Sequence, residues 1–526
     1  MTIRSLTSIL VTTLFVFALP VSGTAAHEHH HYKLIDIGTF GGPRNYFNTD
    51  DTLSPYLGAS QDLNNAGALA GWADTSTSDP FAPNCFNGGC YVSHAFVWRN
   101  GHMKDLGVLP GGASSATTWI SANGLIAGAS QNGELDPQSS PPGFPQNRAV
   151  LWRDGKIVDL GTLQDEGGFQ SGAEAVNSRG QVVGWTQNRV PDPYSMGASS
   201  NFYNFYQPIE YYQMRAFIWQ DGVMQDLGTL GTGTDAFAMA INERGQVTGI
   251  AYTNSTPNEV VTDCNSQTAA PIPTVEPFLW ENGTMIDLGS LGGVCGIPFW
   301  IDNSGQVVGE SYPPSNQGSH AFLWRKDEGM EDLGTLGGLN SVAVMINESG
   351  SVVGGSDTPT GEPSPHAFLW NGSMHDLGAL NGCASTAWGI NARGQVVGNS
   401  GVGPGCPTQI GFLWEKGGPM VDLNSLLVPG PNPLVIAAIE INDQGEISVA
   451  GCPVGADLTC AFLLIPCDDN HPDIQGCDYS PMEVHTVAAG HVTEATSQKQ
   501  LTPQGSSRIR ALPMSRDRGF MPRTIH

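Results

Sequence analysis

The chain has 526 residues, 40% hydrophobic and 13% charged, with 22 Lys and Arg against 49 Asp and Glu, so its net charge is −27. An acidic body of this kind repels phosphate backbones and anionic lipid, which disfavours nucleic acid as a partner. Beyond the first 26 residues no stretch approaches the length of apolar sequence that a membrane-spanning helix needs, which argues against a span in the mature chain.

Residues 1–26 read as a signal peptide. Arg4 is the single charge, an apolar run follows from about Leu6 to Val21, and Gly23, Thr24, Ala25 and Ala26 offer a cleavage site. The expected product is exported, secreted or extracellular, with a periplasmic location as the variant of that reading. Residues 27–31 form a His-rich leader. Cleavage after Ala26 would put a free amine at His27 and make His29 the third residue, a pattern that with His30 and His31 suits a square-planar transition metal. A plain polar leader is the other reading.

From residue 32 to 466 three phrases return eight times in one order. An Asp-Leu-Gly phrase starts at Asp36, Asp105, Asp159, Asp226, Asp287, Asp332, Asp376 and Asp422. An Ile-Asn-x-x-Gly phrase turns at Gly67, Gly124, Gly180, Gly245, Gly305, Gly350, Gly394 and Gly445. An Ala-Phe-Leu-Trp phrase starts at Ala95, Ala149, Ala216, Pro277, Ala321, Ala367, Gly411 and Ala461. Such a period means a repeat architecture. The sixth unit predicts four strands, at Met330–Gly334, Ser341–Asn347, Ser351–Ser356 and His366–Trp370, from short β-branched and aromatic runs between turn residues. Asn, Ser or Asp at the first position of the turn and Gly at its fourth specify a type I turn. Asn100-Gly101, Asp154-Gly155, Asp221-Gly222, Asn282-Gly283 and Asn371-Gly372 are hairpin dipeptides.

Units of this size with four antiparallel strands match propeller blades. The chain opens with a lone Asp-Leu-Gly-type strand, Tyr32–Gly38, and closes with a lone Ala-Phe-Leu-type strand, Cys460–Ile465, which are hairpin partners elsewhere. The expected fold is therefore all-β, a closed β-propeller of about eight four-stranded blades with the last blade completed by the N-terminal strand. A stacked solenoid is the rival.

The phrases His366-Ala367-Phe368-Leu369-Trp370, Met374-His375-Asp376-Leu377-Gly378 and Ile390-Asn391-Ala392-Arg393-Gly394-Gln395-Val396-Val397-Gly398 resemble the bacterial "probable extracellular repeat, HAF family". Units five to seven fit best. Ser121 departs from the turn Asn, Val150 from the Phe and Asn424 from the Gly, while the His of the third phrase survives at His94, His320 and His366. The resemblance implies export and a propeller-like repeat, and carries no catalytic residue.

Insertions are uneven. From the Val-Val-Gly glycine or its counterpart to the next Ala-Phe start the spacing is 24, 21, 32 and 28 residues in units one to four, against 12, 13, 13 and 12 in units five to eight. The first connection, 26 residues from Gly38 to Asn64, is also long against 13–18 elsewhere. All of these connections share one end of the ring, which makes that end, the crown, the expected working face. Its longest insertion, Gln187–Met214, carries Tyr194, Phe202, Tyr203, Phe205, Tyr206, Tyr211 and Tyr212, contact area for a carbohydrate or a protein surface or else a loop packed on itself. Asp50, Asp51, Asp74 and Asp79 could hold calcium or could be solvated carboxylates. No cofactor is otherwise expected.

The eight repeated Asp residues are expected to accept backbone hydrogen bonds at a bend, and the repeated Trp residues to pack blade on blade. Ten cysteines in an exported chain suggest local disulfides, Cys85–Cys90, Cys264–Cys295, Cys383–Cys406, Cys452–Cys460 and Cys467–Cys477. Residues 467–477 read as a Cys-containing closing segment, and 478–526, rich in Ser, Thr, Gln and Arg, as a disordered tail. No nucleophile elbow, zinc helix or phosphate loop occurs. The expected function is a monomeric, non-catalytic binding module acting through the crown. The alternative is an extracellular carbohydrate-active hydrolase or lyase with acids on the same face, since glycosidase carboxylates leave no linear motif.

Overall fold

A computed structural model describes residues 28–47, 60–87, 89–139, 142–163, 167–196, 212–259, 271–359, 365–403, 405–452 and 460–483. Eight antiparallel four-stranded sheets follow one another along the chain. Seven are built from consecutive strands, and the eighth takes its outermost strand from the N-terminus: Tyr32–Asp36 pairs with Cys460–Pro466, in register from Tyr32 opposite Pro466 to Asp36 opposite Phe462. The ring is a closed eight-bladed β-propeller. In the sixth repeat the strands are Gly329–Gly334, Ser341–Ile346, Val352–Ser356 and His366–Trp370, within a residue of expectation.

Each blade's innermost strand ends in the Ile-Asn turn, at the base of the ring. The turn residue's carbonyl accepts from the glycine three positions on in all eight blades, as in Gly350 N to Asn347 O at 2.9 Å. That glycine always has positive φ, for example 80° at Gly350, which an L side chain resists. The Asn amide then reaches the next blade. Asn64 Nδ2 donates to Ser121 O, Asn177 to Asn242 O, Asn242 to Asp302 O, Asn347 to Asn391 O, Asn391 to Asn442 O and Asn442 back to Asn64 O, at 2.9–3.1 Å. The belt changes at Ser121, whose hydroxyl is turned onto Leu125, and at Asp302, whose carboxylate cannot donate. There Asn123 Nδ2 reaches Ser178 O at 2.8 Å and Asn303 Nδ2 reaches Glu348 Oε1 at 2.8 Å.

A second belt lies nearer the crown. Ser115, Ser171, Ser341 and Ser385 at the start of innermost strands accept from the Ala N–H of the preceding blade and donate to the carbonyl of its Asp-Leu-Gly glycine. Asn45 performs both tasks between blades eight and one. Between the belts sit the repeated Phe and Trp side chains: Phe96, Phe217, Phe278, Phe322, Phe368 and Phe412 are fully buried.

The innermost strands of blades two to eight carry a β-bulge near their base ends, such as the shifts at Thr117/Trp119 and Pro298/Trp300. A bulge re-aims the side chains that follow it. Trp119 of blade two stacks on Trp300 of blade five, centroids 5.3 Å apart, although these blades are not neighbours. The stack therefore crosses the middle of the ring.

Two sequence expectations are corrected here. The extra residues of the first unit do not lengthen a connection: Gly41–Tyr46 is already the innermost strand of blade one, with Tyr46 opposite Trp72, and Leu63 completes it by pairing with Leu69. The insertion interrupts the strand itself. Asn371 also lacks the positive φ that Asn100, Asp154, Asp221 and Asn282 adopt before their glycines, so the two-residue hairpin with both centres left-handed holds in four blades.

Cys85–Cys90, Cys383–Cys406 and Cys467–Cys477 are disulfide-bonded as expected. Cys295 is in a disulfide whose expected partner, Cys264, lies outside the described residues, as does the side chain of Cys452 and with it the Cys452–Cys460 pair. The closing segment is tied to the ring through Cys467 N to His31 O at 2.7 Å, and Met482–Glu483 forms a two-stranded ladder with Glu28–His29. The expected signal peptide, residues 1–26, and residues 484–526 of the expected disordered tail lie outside the described residues.

Candidate functional site

The crown is built by unequal hairpins. In blades one to three the two middle strands run to ten and nine residues, as in Leu69–Ser78 with Tyr91–Arg99, Ile126–Leu135 with Pro145–Arg153 and Val182–Pro191 with Tyr212–Gln220. In blades four to eight they have five to seven, as in Val352–Ser356 with His366–Trp370. All three long hairpins shift register at one place, between Asp74 and Ser78, Gln131 and Leu135, Gln187 and Pro191. Four residues beyond Thr75, Asn132 and Asn188 each long strand meets an Asp-Pro pair. Asp79, Asp136 and Asp192 use Oδ1 to accept from Phe81 N, Gln138 N and Tyr194 N, each at 2.8 Å, so the carboxylate closes the turn.

These extensions are buttressed across blades. Gln170 Nε2 of blade three donates to Asp136 Oδ2 of blade two at 2.8 Å, Arg148 Nη1 reaches Phe169 O at 2.6 Å, and Met196 N donates to Asp235 Oδ2 of blade four at 2.7 Å. Tyr252 of blade four donates its hydroxyl to Tyr194 O at 2.7 Å. Met196 and Met214, at the two ends of the Tyr-rich insertion, are fully buried in a cluster with Trp185, Phe237 and Tyr252. The roots of that insertion are thus core. Of its aromatic residues Tyr194 is 39% exposed and Tyr212 half-buried, while Phe202, Tyr203, Phe205, Tyr206 and Tyr211 lie outside the described residues.

Other named residues are placed as follows. Asp74 is fully buried and accepts from Ser93 Oγ at 2.8 Å and Asn87 Nδ2 at 3.1 Å, and burial pushes its carboxyl up. Asp79 also accepts from Phe86 N at 2.9 Å, while Asp50 and Asp51 lie outside the described residues. Among the described residues no group of three or more His, Cys, Asp or Glu is gathered as a metal site. His29 is buried with Nδ1 2.9 Å from Glu415 Oε2, and His31 Nε2 is 3.6 Å from Asp478 Oδ2. His30 is exposed and His27 lies outside the described residues.

The repeated Asp residues are structural in all eight copies: each Oδ1 accepts the backbone N–H two residues on, from Gly38 N on Asp36 to Asn424 N on Asp422. Sequence reading missed the other role of this carboxylate. His94, His320 and His366, the residues before Ala-Phe, place Nδ1 2.8–3.0 Å from Asp105, Asp332 and Asp376. Arg215 does the same to Asp226 at 2.7 Å, and Asp159 acts on the Arg148 charge in blade two. Blade four has Glu276 instead, and burial together with the Asp287 charge pushes it up to about 7.

Three more acids are displaced upward by burial: Glu174 to about 8, Asp235 to about 7, and Glu440 well above the usual range, the last also by Asp62. A carboxyl with a raised folded value binds more protons folded than unfolded, so its contribution is full below the unfolded value and is lost as pH rises through the folded one. The acids held low, Asp105 by His94 and Glu415 by His29, lose their contribution only as pH falls through the acid range. Melting curves should therefore show a midpoint highest near about pH 5 and lower by on the order of 5 °C at about pH 8.5. A midpoint that rose through that window would contradict the burial of these acids.

No protein-family model matches the chain, and no curated protein does. Among solved structures, an acylaminoacyl peptidase from Pyrococcus horikoshii is similar over 77% of this chain and 59% of its own, at 11% identity and a TM-score of 0.38. Dipeptidyl peptidase 4 of Porphyromonas gingivalis is similar over 75% of this chain and 56% of its own, at 10% identity and a TM-score of 0.42. A polysaccharide lyase, an ulvan lyase bound to its saccharide, is similar over 84% of this chain and 96% of its own, at 10% identity and a TM-score of 0.32. The chain spans under two thirds of the length of the two peptidases. At these scores the likenesses assign no chemistry, and the fold rests on the chain's own sheets.

Proposed function

We propose that this is an exported surface-interaction module, of the extracellular-repeat kind its phrases resemble, that works through the crown of blades one to four. One observation carries the reading. Among the described residues seven large apolar side chains are exposed, and five of them, Leu135, Val190, Tyr194, Leu339 and Leu434, lie at the crown. Three of these, Leu135, Val190 and Tyr194, stand on the long hairpins of blades two and three. Apolar groups raised on a buttressed polar platform are the make-up of a binding face. Disulfides support an oxidising destination.

The test removes the insertion and keeps its roots. Ser195 Oγ is hydrogen-bonded to Tyr212 O, so the ends adjoin and a Gly-Gly link can replace residues 197–211. The ring's melting temperature should move little, by the equivalent of about 1 kcal/mol. Binding of the mature protein to polysaccharide and secreted-protein panels should be lost together with that of a Val190→Ser/Tyr194→Ser variant. Undiminished binding by both variants would reject the crown. Turnover of a bound polysaccharide would favour the carbohydrate-active alternative.

A further inference from the structure

An Asn-Gly dipeptide can react with itself, because no side chain on the glycine keeps its amide nitrogen from the asparagine carboxamide. The chain has seven, at Asn87, Asn100, Asn123, Asn132, Asn282, Asn371 and Asn381. The fold restrains six of them in one of two ways. Asn100, Asn282 and Asn381 hold left-handed backbone, at φ 50°, 53° and 56°. The first two are fixed in two-residue turns by the rungs Arg99 opposite His102 and Glu281 opposite Thr284, so the backbone rotation that cyclisation needs would undo the turn. In the other three the carboxamide nitrogen, the group that must leave, is tied to an acceptor. Asn87 Nδ2 donates to Asp74 Oδ1 at 3.1 Å, Asn123 Nδ2 to Ser178 O at 2.8 Å and Asn132 Nδ2 to Gln146 Oε1 at 3.0 Å.

Asn371 escapes both restraints. Its backbone is not left-handed, and its loop is one residue longer, Asn371 to Ser373 inside the rung Trp370 opposite Met374. Among the described residues its Nδ2 has no acceptor. What is held is the carbonyl: His375 Nε2 lies 3.0 Å from Asn371 Oδ1 and 3.1 Å from Ser373 Oγ. An Nε2–H, present in the imidazolium and in one neutral tautomer, donates to that oxygen and steadies the negative charge that attack at Cγ would place there. Asn371, Gly372 and His375 are all exposed, so water reaches the loop.

We propose that Asn371 is a self-modifying site, converted through a succinimide to aspartate and isoaspartate with His375 assisting. Hydroxide takes the Gly372 N–H proton, the nitrogen bonds to Asn371 Cγ, and the C=O electron pair moves onto Oδ1 against His375. The tetrahedral centre collapses and breaks the Cγ–Nδ2 bond, and Nδ2 takes a proton from water and leaves as ammonia. A further water opens the ring at either carbonyl. In sum one carboxamide and one water give one carboxylic acid and one ammonia. Both products set a carboxylate beside His375, and isoaspartate also lengthens the main chain within the loop. The base of blade six thereby gains charge with the age of the molecule. The loop is remote from the crown, so this outcome and the crown's role stand or fall separately.

The experiment incubates the full mature chain for weeks in mildly alkaline buffer and maps its peptides by mass spectrometry, with enzymatic methyl labelling of isoaspartate. Asn371 should convert about tenfold faster than each of the other six, and His375→Phe should slow it about fivefold while leaving the six as they were. Those six are clocks within the same molecule, since a variant that merely loosened the fold would speed them as well. Equal rates at the seven positions would overturn the proposal, as would a rate at Asn371 that His375→Phe leaves unchanged. Aspartate without isoaspartate would mark direct hydrolysis and overturn it too. Ser373→Ala leaves Nε2 to the Asn371 oxygen alone and should hold or raise the rate. A Ser373→Ala variant as slow as His375→Phe would assign the assistance to the hydroxyl and remove the histidine's role.

Discussion

Removing residues 27–38 should unfold the ring rather than trim it. The strand Tyr32–Asp36 is the outer edge of blade eight, and Tyr32 and Ile37 are 3% and 5% exposed. Its loss strips a five-residue ladder, two buried side chains and the contacts of Cys467 with His31 and of Val428 with Tyr32. Ladder bonds at about 1 kcal/mol each and buried side chains at about 2–3 kcal/mol each bring the loss to on the order of 10 kcal/mol. That is comparable to the whole stability of a typical domain. Circular dichroism of the truncated chain should show no cooperative melt, and the exposed edge should promote aggregation. A truncated protein that kept the parent's midpoint would mean that the seam between the ends contributes little.

The second large effect is expected at Glu440. This carboxyl lies at the joint between blades eight and one, where Oε2 accepts from both Asp62 N and Leu63 N at 2.8 Å. Glu440→Ala leaves two buried N–H groups without their acceptor and opens a void, a cost of roughly 3–5 kcal/mol. Glu440→Gln keeps an acceptor oxygen and removes a group whose ionisation burial opposes, so its stability relative to the parent should improve as pH rises. Denaturant melts of both variants across pH decide the matter. A Gln variant as damaged as the Ala variant would show that the charge, and not the acceptor, is what the joint needs.

Most of the ring was legible because its instructions are local. Asn-x-x-Gly and Asn-Gly act through φ and through side chains that bond within a few residues, so Asn347 to Gly350 can be read without knowing what surrounds it. Complementary lone strands at the two ends revealed closure for the same reason. What escaped was either long-range or hidden by a stronger period. The stack of Trp119 on Trp300 joins residues from blades that sequence order keeps apart. The interruption of blade one's inner strand had a signal that went unread: Gly38-Thr39-Phe40-Gly41-Gly42 repeats Gly334-Thr335-Leu336-Gly337-Gly338, down to the Thr hydroxyl on the second Gly carbonyl. The Asp-Pro pairs at Asp79, Asp136 and Asp192 form a smaller repeat, confined to three insertions and masked by the stronger period of the blades. The crown's chemistry stays the least legible part, because a binding face has no fixed spacing for a sequence to display.

The two places where the amide belt changes are also the two that supply the central indoles: Trp119-Ile120-Ser121 in blade two and Trp300-Ile301-Asp302 in blade five. The base of the ring is therefore two chains of links, one running from blade three to blade five and one from blade six through the closure to blade two. Links within each arc are buried, whereas the substitutes at Asn123 and Asn303 are exposed, where water competes for them. At its base the molecule is thus a hoop with two seams, where blade two meets three and blade five meets six, each still closed by the serine belt nearer the crown, and the stacked indoles tie one arc to the other across the centre.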